Sequence, residues 1–334
     1  MVNVDLLARK RPAREGIENM RELIDCAHLI GDRAALDGFW DEHGYWFFRG
    51  MLDQEPLRIM QDELMGELKA LGVVDPDSTE PQWNGRPLEN FPATFHVLHE
   101  RQVWQNFVAD WRITAFFEQI FGEELFWLPM DYYRLLPPSK ETGDRLFLAI
   151  HQDGMQSPGM SFATCWIALS RIDERAGGLV IADGQHRRGY IRRENGKAFF
   201  GVAPLPEDSW ARADYRFGDV VIFSKTTPHY GLTNHSDRFR LSVDIRPVPR
   251  STRLPHVGTV RRIDADSVEI AESGGATVRL QLTDETYIRA PDPGGYNPAA
   301  VTRGEAADAL PPGSMVMATS DESGRALLFR SVME

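Results

Sequence analysis

GDVVIFSKTTPHYGLTNHSDRFRLSVDIR, residues 218–246, holds two short apolar runs joined by turn formers, with no helical pattern between them. Val220–Phe223 and Leu241–Ile245 are rich in β-branched and aromatic residues, and Pro228, Gly231, Asn234 and Ser236 lie in the connection. That texture reads as strand, turn, strand. It repeats upstream in FWLPMDYYRLL (126–136), RLFLAIH (145–151), FATCWIALS (162–170) and GLVIAD (178–183). Many short strands without intervening helices predict a sandwich, barrel or jelly roll and argue against a doubly wound parallel sheet.

On either side of this β region the pattern changes. In PLRIMQDELMGELKALG, Leu57, Met60, Leu64, Leu68 and Leu71 recur at three- and four-residue steps, predicting an amphipathic helix. A second helical stretch is expected from Val103 to Phe121, and DPDSTEPQWNGRPLENFP (75–92), rich in proline, glycine and asparagine, reads as a long loop able to cover a site. Beyond Pro247–Pro255 the alternation and glycine turns predict a small antiparallel β-barrel over 257–334, separate from a main domain over 1–250.

The 334 residues suffice for a sizeable core, and 42% hydrophobic with 26% charged residues is an ordinary globular balance. A net charge of −12 opposes a phosphate backbone, so nucleic acid is not expected as a partner. The basic ARKRPAR at 8–14 reads as a solvated terminus. With two cysteines, no membrane-length apolar run and no secretory pattern, the expectation is a cytoplasmic protein that does not enter a membrane.

The candidate chemistry begins where the run to Ile150 stops on His151 and Asp153. Two histidines and a carboxylate are the ligand set of a mononuclear non-haem iron with open positions for dioxygen. His229, after the 220–224 strand, is the third candidate. Eleven residues on, Arg240 and Ser242 alternate to one face of the next strand, where a guanidinium and a hydroxyl can clamp a carboxylate. A pair of ordinary core histidines is the competing reading, and His235-Ser236-Asp237 is a decoy that follows no apolar strand. His96 and His99 are three apart on a helix but lack a further ligand nearby, which favours a structural role. Gln152, Met155 and the Trp83–Phe95 loop are candidates for shaping a substrate pocket.

HQDG (151–154), TCWIALSRIDERAGGLVIADGQHRRG (164–189), YRFGDVVIFSKTTPHYGLTNHSDRFRLSVDIR (215–246) and FWDEHGYWFFRGMLD (39–53) together resemble the phytanoyl-CoA dioxygenase family of iron(II)- and 2-oxoglutarate-dependent oxygenases. The resemblance implies a double-stranded β-helix, the cupin-like jelly roll. It makes His151, Asp153 and His229 the iron ligands, Arg240 the partner of the distal carboxylate of 2-oxoglutarate, and Trp166 and Tyr132 residues lining the cosubstrate pocket. Gly231 stands where some members carry a serine, so Ser242 is the expected substitute. Asp153 keeps the carboxylate that halogenating members lack.

The expected activity is therefore oxidation of a small molecule, by hydroxylation, desaturation or cyclisation, with iron(II), 2-oxoglutarate and dioxygen consumed as succinate and CO2 form. Two alternatives stay open: a binding protein without turnover on the same fold, and a cupin-like metalloenzyme of another reaction class. The acidic chain disfavours an acyl-CoA and points to a natural-product intermediate. The C-terminal segment, acidic, without lysine and poor in aromatics, is expected to serve in interaction, homo-oligomer formation or lid support.

Overall fold

The computed structural model describes residues 20–89, 91–92, 94–139, 150–191, 205–292 and 298–332. Sixteen strands are named along them: β1 (Arg21–Glu22), β2 (Tyr45–Phe48), β3 (Leu125–Leu136), β4 (Ala163–Ala168), β5 (Gly178–Ala182), β6 (Trp210–Arg212), β7 (Val220–Ser224), β8 (His229–Leu232), β9 (Arg240–Pro249), β10 (His256–Ile263), β11 (Ser267–Glu272), β12 (Thr277–Gln281), β13 (Tyr287–Ala290), β14 (Ala299–Val301), β15 (Met315–Ser320) and β16 (Ala326–Ser331). The helices are α1 (Arg33–His43), α2 (Gln54–Ala70), α3 (His96–Glu100), α4 (Val103–Ala109), α5 (Trp111–Phe121) and α6 (Ala306–Ala309), with short 3-10 turns between elements.

Two facing sheets form the main body. The larger has the antiparallel order β2-β7-β4-β9-β3, and the smaller is β1-β6-β5-β8. Alternation along each strand decides what each face meets. On β9, Leu241, Val243 and Ile245 join the core formed with α1, α2, α4 and α5, as do Trp46 and Phe48 on β2 and Cys165 and Ile167 on β4. The opposite faces carry Tyr45, Phe47, Trp166, Val221 and Phe223, which pack with Leu179, Ile181 and Ala211 of the smaller sheet. The helices therefore cover the outside of one sheet, and the space between the sheets holds the remaining interior faces. This is the mainly β architecture with N-terminal helices that the strand pattern predicts.

The α2 periodicity holds for Leu57, Met60, Leu64 and Leu68, which are buried, each contributing about 1.5–3 kcal/mol by removal from water, whereas Leu71, just past the helix end, is exposed. The expected single helix over 103–121 is instead two. Asp110 adopts an extended conformation and its carboxylate accepts from the Arg112 amide, so it caps α5 and ends α4. The expected strand at 145–151 lies outside the described residues except for Ile150 and His151.

The C-terminal expectation needs correction. Residues 256–331 form an open seven-stranded sheet of order β12-β11-β10-β15-β16-β13-β14, and its edge strands β12 and β14 are not paired to each other among the described residues. It is mixed and not wholly antiparallel, because β13 and β16 run parallel. It has its own core around Val260, Ile270, Leu280, Val316 and Phe329. A second apolar cluster joins Met317 and Leu328 of this sheet to Leu128, Met130, Met160, Phe162 and Val248 of the main body. No helix among the described residues is long and apolar enough to cross a membrane.

Candidate metal centre

His151 and His229 face each other as an isolated antiparallel bridge in which each backbone N–H donates to the other's carbonyl at 3.0 Å. The bridge brings the rings to 4.2 Å between centroids. Asp153 opens a 3-10 turn over Asp153–Gln156, which swings its carboxylate back to the pair. Asp153 Oδ1 lies 3.4 Å from His151 Nε2 and 3.5 Å from His229 Nε2. The three ligand atoms fall within 4.8 Å of one another, and among the described residues this is the one such His, Cys, Asp and Glu group.

His229 and Asp153 are aimed by contacts made through their other atoms. His229 Nδ1 donates to the Thr227 carbonyl at 3.0 Å, leaving the Nε2 lone pair for a metal. Asp153 Oδ2 accepts from Thr164 Oγ1 at 2.6 Å and from Arg246 Nη2 at 3.0 Å, leaving Oδ1 toward the histidines. The protonation states also suit ligation. Burial, then the neighbouring His151, pull His229 down to about 3, so its imidazole is neutral at neutral pH. Burial alone would raise the Asp153 carboxyl, but Arg246, His229 and His151 outweigh it and hold the group well below its ordinary range. A divalent cation fits this donor set of two imidazoles and one carboxylate, with His229 Nδ1 and Asp153 Oδ2 already bonded to other groups.

The turn itself is closely packed. Gly154 donates to the Lys225 carbonyl at 2.9 Å, and a Cβ at 154 would meet the Tyr190 hydroxyl and approach the Lys225 oxygen to 3.1 Å. Gln152, expected to face a substrate, is instead fully buried as a brace. Its amide donates to Gly189 O at 2.8 Å and to Thr226 O, and its oxygen accepts from the Ile191 amide at 2.9 Å. Met155 is half-buried beside it.

Strand β9 lines the space between the sheets with Arg240, Ser242, Asp244 and Arg246, all at most 4% exposed. Arg240 donates from Nη1 to Leu232 O at 2.7 Å and Ala176 O at 3.3 Å, which anchors it at the end of β8. Ser242 Oγ is buried and finds no hydrogen-bond partner among the described residues, so it is available to a ligand. Tyr132 and Arg134 stand on the neighbouring strand opposite Asp244 and Ser242. The Arg246 guanidinium lies 5.1 Å over the Tyr132 ring. Trp166, opposite Asp244 on the other side, packs edge-on against Tyr215 at 4.7 Å in the core between the sheets.

Three participants were not singled out from the sequence. Arg246 and Thr164 hold Asp153, and Arg134 pairs with Asp244, its Nε at 2.7 Å from Oδ2. The signal was present, since the two-residue alternation that selects Arg240 and Ser242 continues to Asp244 and Arg246. Other sequence candidates fall elsewhere. Phe91 and Phe95 of the Trp83–Phe95 loop pack into the helix-side core, Phe91 stacking on Phe239 at 5.4 Å, so they do not shape the site. His99 is buried with its Nδ1 3.0 Å from Asp131, while His96 is exposed; among the described residues neither joins a group of potential metal ligands.

The sequence pattern of the phytanoyl-CoA dioxygenase (PhyH) family matches residues 40–242, a stretch that contains the whole His-Asp-His group. The chain belongs to the phytanoyl-CoA dioxygenase family. It is a 2-oxoglutarate-dependent dioxygenase, and its cofactors are iron and 2-oxoglutarate. A 1-deoxypentalenic acid 11-beta-hydroxylase of Streptomyces arenae is 31% identical over 251 residues, covering 70% of this chain and 88% of that protein. The Streptomyces exfoliatus enzyme of the same name is 30% identical over the same length and shares. Among solved structures, the epimerase SnoN in complex with Fe3+, alpha ketoglutarate and nogalamycin RO is 20% identical with a TM-score of 0.46, covering 65% of this chain and 85% of that one. EctD from S. alaskensis with 2-oxoglutarate and 5-hydroxyectoine is 17% identical with a TM-score of 0.45, covering 70% and 84%. The C-terminal sheet, residues 256–331, lies beyond the family match.

Proposed function

We propose that His151, Asp153 and His229 ligate iron(II), and that the enzyme oxidises a C–H bond of a small natural-product intermediate, releasing succinate and CO2. The observation that carries this reading is the three ligand atoms within 4.8 Å, with Asp153 Oδ2 and His229 Nδ1 already bonded to other groups. When bound, iron supplies activation of dioxygen coupled to oxidative decarboxylation of 2-oxoglutarate. The protein's own contribution is positional. Arg246 and Thr164 fix the carboxylate of Asp153, and Thr227 fixes the tautomer of His229. Arg240 offers a fixed cation, and Ser242 an available hydroxyl, to the carboxylates of the cosubstrate. Hydroxylation is the favoured outcome and a natural-product scaffold the favoured substrate, because relatives over 30% identical or at that level hydroxylate 1-deoxypentalenic acid. Residues 1–250 act as the oxygenase domain, and the following sheet as a second unit.

An anaerobic absorbance titration tests the assignment. A weak visible charge-transfer band should require both iron(II) and 2-oxoglutarate, vanish in His229→Ala, and need far more 2-oxoglutarate in Arg240→Ala. No band in the intact protein with both additions would remove the main support for the site.

A further inference from the structure

The C-terminal sheet meets the main body beside the metal-ligand turn. Thr319 Oγ1 donates to the Pro158 carbonyl at 2.8 Å, and Arg289 Nη1 donates to Gln156 Oε1 at 2.9 Å. Around these bonds lies the apolar contact of Met317 and Leu328 with Met130, Met160 and Phe162. The faces in contact are set by the β13–β16 pairing, in which Tyr287 lies opposite Leu328 and Arg289 opposite Arg330. Two arginines therefore stand side by side on neighbouring strands, 5% and 1% exposed, and both are turned toward the oxygenase.

Directly opposed like charges destabilise a sheet, and burial removes the water that would screen them. Arg289 places Nε on the Pro298 carbonyl at 2.9 Å, and Arg330 places Nε on its neighbour Ser331 O at 3.2 Å. Arg330 Nη2 is buried with no hydrogen-bond partner among the described residues. Among the described residues no carboxylate pairs with either arginine. The Arg330 guanidinium instead lies against the Tyr132 phenol, with Arg289 and Arg246 close enough to act on its charge. Burial first, and then these two cations, pull the Arg330 guanidinium below its ordinary range, with Tyr132 opposing them. Arg246 in turn is committed to Asp153 and Met130.

We propose that Arg330 and Arg289, held over Tyr132 at the seam between the two parts, form a subsite that binds a carboxylate of the organic substrate. An incoming carboxylate accepts from Arg330 Nη2 and neutralises the opposed pair, a charge-assisted contact that a neutral ligand cannot make. The site is separate from that of the cosubstrate. It is built on β13 and β16 of the C-terminal sheet, whereas the distal carboxylate of the cosubstrate is assigned to Arg240 on β9. This inference rests on the oxygenase reading above and adds to it the substrate class and a role for the C-terminal sheet in recognition.

The test uses the full chain, anaerobic, with iron(II) and saturating 2-oxoglutarate, so that the cosubstrate site is filled and the charge-transfer band reports it. Sodium benzoate, sodium acetate and inorganic phosphate are the probes, and the readout is Tm. Benzoate or acetate should raise the Tm of the wild type by several degrees and leave Arg330→Met unmoved. Probe-free Arg330→Met should melt above the wild type, because an uncompensated buried charge has gone, while its 2-oxoglutarate affinity stays within about twofold. A lower Tm for this variant assigns Arg330 a packing role and overturns the proposal. A tenfold loss of 2-oxoglutarate affinity assigns the pair to the cosubstrate and also overturns it. A wild type that responds to no probe, or to phosphate alone, refutes the carboxylate class whether or not the variant folds. Should Arg330→Met not fold, Arg330→Lys keeps a cation and should retain a weakened benzoate response, and an undiminished one counts against Arg330. Absence of the band in the wild type is a failure of the oxygenase reading and is seen before any probe is added.

Discussion

Replacing Arg246 by Met removes one of two donors to Asp153 Oδ2 and leaves the other, Thr164 Oγ1 at 2.6 Å, in place. The Asp153 oxygen that faces the histidines is free for metal because its partner oxygen is held. With one restraint gone, the carboxylate can rotate, and the largest influence lowering its proton affinity is lost. Loss of such a supporting contact typically lowers metal affinity about 10–100-fold, or about 1.4–2.7 kcal/mol. The expected result is an iron(II) Kd raised by that factor, measured by anaerobic competition with a chromophoric chelator. Thr164→Val alone should cost less, since a neutral hydroxyl to a carboxylate is the weaker of the two contacts. The double variant should lose more than the sum of the two, because it strands a buried carboxylate oxygen with no donor. An iron(II) affinity within about twofold of wild type in Arg246→Met would refute the argument that Arg246 sets the orientation of Asp153.

Arg240→Ala should leave iron(II) binding intact and raise the 2-oxoglutarate Kd by about 10–100-fold, the equivalent of one charge-assisted hydrogen bond, as read from the charge-transfer band. Gly154→Ala places a methyl against Tyr190 and the Lys225 carbonyl; it should lower stability by about 1–3 kcal/mol in a denaturant melt and weaken iron(II) binding by displacing the turn. Asp173 tests the pH dependence. Burial would raise its carboxyl, but the Ala176 amide and Arg238 outweigh burial and lower it. Its contribution is therefore present above the unfolded-state value near pH ~4 and lost as pH falls through the folded value. Asp173→Asn should flatten the acid limb of the Tm profile while costing about 0–1 kcal/mol at neutral pH.

The metal centre was legible because its ligands sit at the ends of strongly patterned strands. Val220–Phe223 and Leu241–Ile245 announce themselves by composition, so the residues that follow or alternate with them can be placed. Extending the alternation two steps past Ser242 would have named Arg246, but its contact with Asp153 depends on a turn that only the fold brings across. The break at Asp110 was hidden because α4 and α5 are both apolar and one residue apart, and a single aspartate in an extended conformation divides them. The C-terminal topology was less accessible still. Local alternation predicts hairpins such as β11 with β12, whereas the parallel β13–β16 pair joins strands remote in sequence and has no local signature. The Arg289–Arg330 opposition exists only through that pair.

Charge shows most clearly where a whole-chain quantity fails. The net charge of −12 describes mostly exposed groups, screened by solvent and salt, and it bears on polymers and surfaces. The interior reads differently. Arg134, Arg240, Arg246, Arg289 and Arg330 gather around and beside the space between the sheets; Asp244 bonds Arg134, Asp153 bonds Arg246, and among the described residues no carboxylate pairs with Arg289 or Arg330. Asp244 is taken by Arg134, and Asp153 must serve both Arg246 and a cation. A divalent metal increases the positive excess, and a dianionic cosubstrate only cancels what the metal adds. The guanidiniums at the seam then still face a medium of low dielectric without a counter-charge, where each unpaired ion is costly. The acidity of the chain therefore gives no ground for expecting a neutral substrate. The local excess favours a ligand that arrives carrying its own negative charge.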